Sequence, residues 1–281
     1  MLRPESRTTS IESSENVTLF ARTESPRNPS GCVIISHGFG EHSGRYEKLA
    51  AKFGELNLTV VRYDLRGHGR SHGKRGHASS YEIYLNDLGH AIELARDHHP
   101  DLPTFLFGHS MGGGLVLNYA LRRANSLSGV IASSPWLRLA FDPPGWKTWL
   151  AHRIARVLPS FSMPTNLDVN KLSHDPEVAK SVESDVLTNP MISASAYLGI
   201  VEAGEFASAR AASFKFPLFL MHGTADEITA FKASESFFAA AGSTDKTFKA
   251  WPGMYHETLN EIDSAPVYQA VVDWIAQRVP K

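Results

Sequence analysis

The segment Gly108-His109-Ser110-Met111-Gly112 reads G-x-S-x-G. An apolar run over 104–107 leads into it and a helix-like stretch follows. A serine on such a strand-to-helix turn presents its hydroxyl into open space, and flanking glycines permit close backbone approach. The helix start adds free N–H donors and a partial positive charge. The chemistry on offer is nucleophilic attack on a carbonyl, and a serine needs a base for it. The chain holds 13 histidines, so position has to choose among them. His256 lies in a loop beyond the last strand-like run, and Asp226 in a loop after the run 218–221. The order Ser110, Asp226, His256 is one in which a nucleophile, an orienting acid and a base occur together. Glu227 is the nearest rival acid. His222 is a rival base, but at a strand end it is expected to pack or hydrogen-bond. The tetrahedral intermediate needs two backbone donors. Met111 should supply one, and the His37-Gly38 turn should present the second from Phe39. Their side chains are then free to line an apolar acyl pocket.

These loops must be positioned by something, and the sequence repeats a grammar that can do it. Short apolar runs at 32–36, 58–63, 104–107, 129–132, 218–221 and 247–251 end in Gly- and His-rich loops. Helical patterns follow at 45–56, 81–98, 111–123 and 266–278. The run 17–22 alternates weakly and predicts an edge strand. Continuous apolar runs indicate strands covered on both faces, and their alternation with helices indicates a parallel sheet. Right-handed crossovers then bring every strand's C-terminal end to one edge, where ligands bind. Residues 136–213 break the grammar. They carry Pro135, Trp136, Pro143, Pro144, Trp146 and Trp149 at or near their start, and a Trp/Leu/Ile stripe at helical spacing over 146–158. The expected architecture is α/β: a mostly parallel central sheet flanked by helices, built from 1–135 and 214–281, with a mainly helical cap inserted at 136–213.

Composition excludes other classes. Lys plus Arg is 28 and Asp plus Glu is 29, so no global charge draws the chain to nucleic acid or anionic lipid. The single cysteine, Cys32, rules out an internal disulfide framework and any multi-cysteine zinc site. The N-terminus has no apolar core of a signal peptide, and no run is long enough to span a bilayer. A cytoplasmic setting is expected. His68, His72 and His77 invite a metal reading, but Gly73 and Gly76 loosen their spacing, so loop structure is expected and no metal. His98-His99 should cap a helix C-terminus.

Further segments carry a family resemblance. His37-Gly38-Phe39-Gly40-Glu41-His42-Ser43-Gly44-Arg45-Tyr46 is similar to the HGxGEHSGRY segment of monoacylglycerol lipases. Asp64-Leu65-Arg66-Gly67-His68-Gly69-Arg70-Ser71 resembles the D-x-x-G-H-G-x-S loop of many α/β-hydrolases. Gly108 to Gly113, His222 to Asp226 and Tyr255-His256 fit the family's elbow, acid and base loops. The similarity runs from about Val33 to the C-terminus and reaches the cap at Leu158-Pro159-Ser160-Phe161 and Thr188-Asn189-Pro190. It implies an α/β-hydrolase fold and ester cleavage through an acyl-enzyme, with glycerol leaving and no cofactor. The substrate implied is a small lipid ester. Glu41 and Arg45 match the family's motif, and their main expected role is to fix the oxyanion loop; with Phe39 they are also expected to bind substrate. Leu259 stands where animal enzymes carry a second histidine near the glycerol. Transient contact of the cap with a membrane surface is a further expectation. A general carboxylesterase or lysophospholipase, and a proline-iminopeptidase-like peptidase using Asp142, Glu183 and Asp185, remain as alternatives. A non-catalytic binding protein is disfavoured by the intact Ser, Asp and His.

Overall fold

A computed structural model describes residues 5–97, 100–142 and 145–280. The main strands are β1 (Glu5–Ser13), β2 (Val17–Ser25), β3 (Gly31–Ser36), β4 (Leu58–Tyr63), β5 (Thr104–His109) and β6 (Gly129–Ser133). The short β7 (Ser162–Pro164) and β8 (Met191–Ser193) precede β9 (Leu218–Gly223) and β10 (Lys246–Trp251). The helices are α1 (Glu47–Glu55), α2 (Tyr81–Arg96), α3 (Met111–Arg122), α4 (Gly145–Val157), α5 (Pro176–Ser184), α6 (Ala194–Ala209), α7 (Phe231–Ala240) and α8 (Ala265–Ala276).

Eight strands form one sheet in the order β1-β2-β4-β3-β5-β6-β9-β10. From β4 to β10 all neighbours are parallel, and β2 joins β4 antiparallel. Every residue of β3, β4, β5, β6 and β9 is buried, because helices cover both faces. Alternate side chains feed two cores. Ile34, Val61, Leu106 and Leu220 pack with residues of α2, α3 and α6. Val33, Ile35, Phe107 and Met221 pack with residues of α1 and α8. The chain leaves β3 towards β4 on one side and returns to β5 on the other. The strand order therefore reverses between β3 and β5, and a crevice opens at their C-terminal ends. Ser110 and the loop after β3 emerge there.

Strand β1 has no counterpart in the sequence reading. Its pattern is polar and only Ile11 is buried. It pairs along its full length with β2 through backbone bonds, which need no apolar alternation at a sheet edge. Arg66 ties this hairpin down, reaching Asp87 at 2.6 Å and Glu15 at 3.2 Å.

Within 136–213 the structure is mainly helical, with β7 and β8 forming a three-residue antiparallel pair. Helix α6 docks on α3: Asn118 donates to the Ala203 carbonyl at 3.0 Å, and Ile200, Ala203 and Ala207 join the core. Gly204 is required there, since a Cβ would sit 2.3 Å from the Leu137 oxygen. Helix α4 behaves differently. Trp149 and Val157 are exposed, as are Leu158, Phe161, Met163 and Leu167 beyond it. The side chains of Trp146 and Leu150, and Pro143, Pro144, His98 and His99 entirely, lie outside the described residues. The expected helix-capping role of the last two falls with them.

Candidate active site

Ser110 stands between β5 and α3 with φ 54° and ψ −118°, a conformation L-residues rarely adopt. The neighbouring glycines explain why the chain can turn so sharply. A Cβ on Gly108 would lie 2.1 Å from the Gly112 oxygen, and one on Gly112 would lie 2.2 Å from the Ser36 oxygen. The turn is held by Ser110 N–H donating to Ser133 O at 2.9 Å, and by Trp136 N–H donating to Ser110 O at 2.8 Å. Gly38 packs against Ser110 from the β3 side, where its own Cβ would be 3.2 Å from that of Ser110.

His256 Nδ1 lies 2.7 Å from Asp226 Oδ2. The carboxylate is over-determined: Oδ1 accepts from the N–H groups of Ile228 at 2.7 Å and Thr229 at 3.0 Å. Oδ2 also accepts from Thr229 Oγ1 and His222 Nε2, both at 2.9 Å. Burial alone would raise the Asp226 carboxyl. The His256 charge and the hydrogen bonds from His222 and His256 outweigh it and hold the carboxyl well below the ordinary range. Burial likewise presses the His256 imidazole down, but the Asp226 charge and hydrogen bond bring it out above the usual histidine value. The rings of His256 and His109 lie 4.7 Å apart. Ser134 Oγ donates to the His256 carbonyl at 2.8 Å, joining the base loop to the loop that holds the elbow. Glu227, the rival acid, is instead paired with Lys171 on the surface.

The loop after β3 is fixed by buried charge. Glu41 Oε1 accepts from Gly38 N–H at 2.5 Å and Tyr46 Oη at 2.6 Å, while Oε2 meets Arg45 at 2.9 Å. Burial would raise Glu41, but Arg45 leads the opposing charges and brings it down to about 2. Arg45 also grips Glu257 with both Nη groups, at 2.6 and 2.7 Å. The loop after β3 is thus clamped to the residue next to His256. The clamp consumes the N–H of Gly38. Among the described residues the N–H groups of Phe39 and Met111 have no hydrogen-bond partner. Phe39 is half-buried with its ring edge-on to His68, whereas the Met111 side chain is sunk in the core. Leu259 is buried and lines a narrow cleft beside Arg45, His109, Glu257 and Tyr268.

Sequence reasoning passed over Glu257, Thr229 and Asp64. Asp64 accepts from Ser43 N–H at 2.8 Å and Arg70 N–H at 2.7 Å, so its loop braces the segment after the oxyanion turn. Its motif was visible but its partner was not. Residues 136–213 touch both the loop after β3 and the loop that carries His256. Asn189 N–H donates to Gly40 O at 2.7 Å, and Glu257 N–H to Leu172 O at 2.8 Å. His37 accepts from Leu65 N–H at 2.9 Å, joining the loops after β3 and β4. Burial drives His68 down to about 3, and its Nδ1 donates to Arg66 O. Among the described residues no three His, Cys, Asp or Glu side chains are grouped to hold a metal ion.

The architecture and this site are those of an α/β-hydrolase with a serine elbow. Residues 27–263 match the family model Hydrolase_4, described as serine aminopeptidase, S33. A monoacylglycerol lipase of Mycolicibacterium smegmatis is 33% identical over 256 residues, 90% of either chain. An uncharacterized abhydrolase domain-containing protein of Dictyostelium discoideum is 35% identical over 95% of this chain, which spans 28% of that protein. The crystal structure of Paleococcus ferrophilus monoacylglycerol lipase superposes with a TM-score of 0.86 at 34% identity, covering 92% of this chain and 99% of that one. The chain belongs to the Hydrolase_4 family of α/β-hydrolases and is a serine ester hydrolase.

Proposed function

We propose that the chain hydrolyses monoacylglycerols to fatty acid and glycerol. Ser110 attacks the ester carbonyl while His256 takes its proton. The oxyanion is held by the N–H groups of Phe39 and Met111, which have no other partner among the described residues. His256 returns the proton to the glycerol oxygen, and water repeats the sequence on the acyl-enzyme. Asp226 fixes the Nδ1–H tautomer of His256 and stabilises the imidazolium. No step requires a cofactor. The observation that carries this reading is the 2.7 Å contact of His256 with Asp226, in a loop tethered to the elbow of Ser110. The relatives named monoacylglycerol lipase support the substrate class. Leu259 next to Arg45 gives the alcohol end an apolar wall, and Phe39 lines the acyl end.

A peptidase reading needs free carboxylates for a substrate ammonium. Asp142 is paired with Arg138 and Asp185 with His42, each at 2.8 Å, so two of the three candidate charges are already taken. The test is hydrolysis of a p-nitrophenyl ester, a monoacylglycerol series of varied acyl length, and a prolyl-naphthylamide. Monoacylglycerol turnover should exceed that of the prolyl amide by at least about 10³-fold in kcat/KM. A faster prolyl amide overturns the assignment. A flat, very slow monoacylglycerol series points to a general carboxylesterase instead.

The segments 136–213 form the cap in this reading, and its exposed face meets lipid. Trp149, Leu158, Phe161 and Met163 stand out of the surface, and the Arg153 guanidinium lies 5.4 Å from the Trp149 ring. Apolar side chains with interspersed cations suit a headgroup boundary. No described helix is long and apolar enough to cross a membrane. Liposome co-sedimentation should drop at least about tenfold in the triple variant Trp149→Ser, Leu158→Ser, Phe161→Ser. Equal, negligible sedimentation of both proteins removes the lipid contact.

A further inference from the structure

Asp226 serves two histidines through one oxygen. His256 Nδ1 and His222 Nε2 both lie within hydrogen-bond reach of Oδ2, at 2.7 and 2.9 Å. His222 is wholly buried at the end of β9 and touches no substrate path. Its tautomer follows from its partners. Nε2 faces Asp226 Oδ2, the Thr229 carbonyl at 3.2 Å and, farther off, the Thr229 hydroxyl at 3.4 Å; the two nearest can only accept, so it carries the proton. Nδ1 lies 2.8 Å from the hydroxyl of Ser234, which is also fully buried. The ring is further set by Phe231, edge-on at 5.7 Å. The imidazole is therefore locked in place with its Nε2–H aimed at the oxygen that His256 uses. The Ser234–His222–Asp226 chain mirrors the one running from His256.

We propose that His222 is a positioning residue that competes with His256 for Asp226 Oδ2 and thereby sets the pH at which His256 becomes a free base. The inference rests on the Ser110, Asp226, His256 reading. A carboxylate that already accepts an N–H bond has less charge to offer a second donor. With the His222 donor removed, Asp226 holds the His256 imidazolium more tightly, and the base is freed only at higher pH. The other charged or titratable groups facing His256 are His109, Glu257 and Glu41, with Arg45 pairing the two glutamates. None is altered by a change at His222.

The experiment is the pH profile of kcat/KM, which reports the free enzyme. Wild type is compared with His222→Leu, which lacks the donor, and His222→Gln, whose amide restores one. In His222→Leu the acid limb should move to higher pH by about 1, an approximately tenfold loss of rate on the acid side. KM should stay constant, and His222→Gln should bring the limb back. His222→Met gives the same test if the leucine variant fails to fold, because methionine fills irregular space. An independent readout is the His256 ring titration by proton NMR, which should shift in the same direction. An unmoved limb, or one that moves equally in Leu and Gln, overturns the inference while leaving the triad intact. Turnover that survives Ser110→Ala overturns the triad reading and the inference with it.

Discussion

Ser110→Ala and His256→Ala should each slow monoacylglycerol hydrolysis by about 10⁶-fold, and the double variant should be no slower than either. The reason is that the two side chains act in one step. Without the base the hydroxyl stays protonated, and without the hydroxyl the base has nothing to activate. Losses that multiply instead would mean that the residues act independently, and the proposed mechanism would be wrong. Stability should move the other way. Ser110 occupies φ 54° and ψ −118°, which costs about 1–3 kcal/mol for a residue with a Cβ. Ser110→Ala keeps that cost, but Ser110→Gly releases it. The glycine variant should therefore melt higher than the alanine variant while both are inactive. Thermal denaturation read beside turnover separates strain held for chemistry from strain without purpose.

The parts of this site that were legible in the sequence are those whose signal is local. Gly108 and Gly112 announce the elbow because no side chain fits against the Gly112 and Ser36 carbonyls. The buried strands announce themselves as continuous apolar runs, since helices cover both faces of the sheet. Strand β1 stayed invisible for the opposite reason: an edge strand held by backbone bonds can be almost entirely polar. The exposed stripe around Trp149 shows the limit of periodicity. Helical spacing of apolar residues reads the same whether the face meets a core or solvent. Long-range polar pairs were hidden altogether. Glu257 meets Arg45 from 212 positions away, and Asp64 braces Ser43 from 21. Neither separation leaves a pattern in a single chain. His222 was read as a residue that hydrogen-bonds at a strand end, and it does. What the sequence lacked was the identity of its acceptor.

Arg45→Met should be the most destabilising single change at the site that leaves Ser110, Asp226 and His256 untouched. Arg45, Glu41 and Glu257 are all largely buried, with side-chain exposures of 14, 9 and 6%. Removing the cation strands two carboxylates away from water, which costs about 3–5 kcal/mol. For a chain of this size the melting temperature should fall by roughly 6–15 °C. The pH dependence has a definite sign. In the wild type Glu41 is held near 2, below its unfolded value. Its stabilisation is thus complete above the unfolded value and lost as pH falls towards 2. In the variant burial raises Glu41 instead, so acid relieves the stranded charge. The stability gap between the two proteins should narrow from pH 7 to pH 4. Adding Glu257→Gln to Arg45→Met should recover part of the loss, because one buried charge is then gone. Turnover should suffer as well in the proposed mechanism, where Glu41, holding the Gly38 N–H at 2.5 Å, keeps the neighbouring Phe39 donor aimed at the oxyanion. Urea denaturation at both pH values, with kcat measured beside it, decides the matter. A gap that stays constant with pH would show that packing of the arginine stem, and not its charge, holds the two loops together.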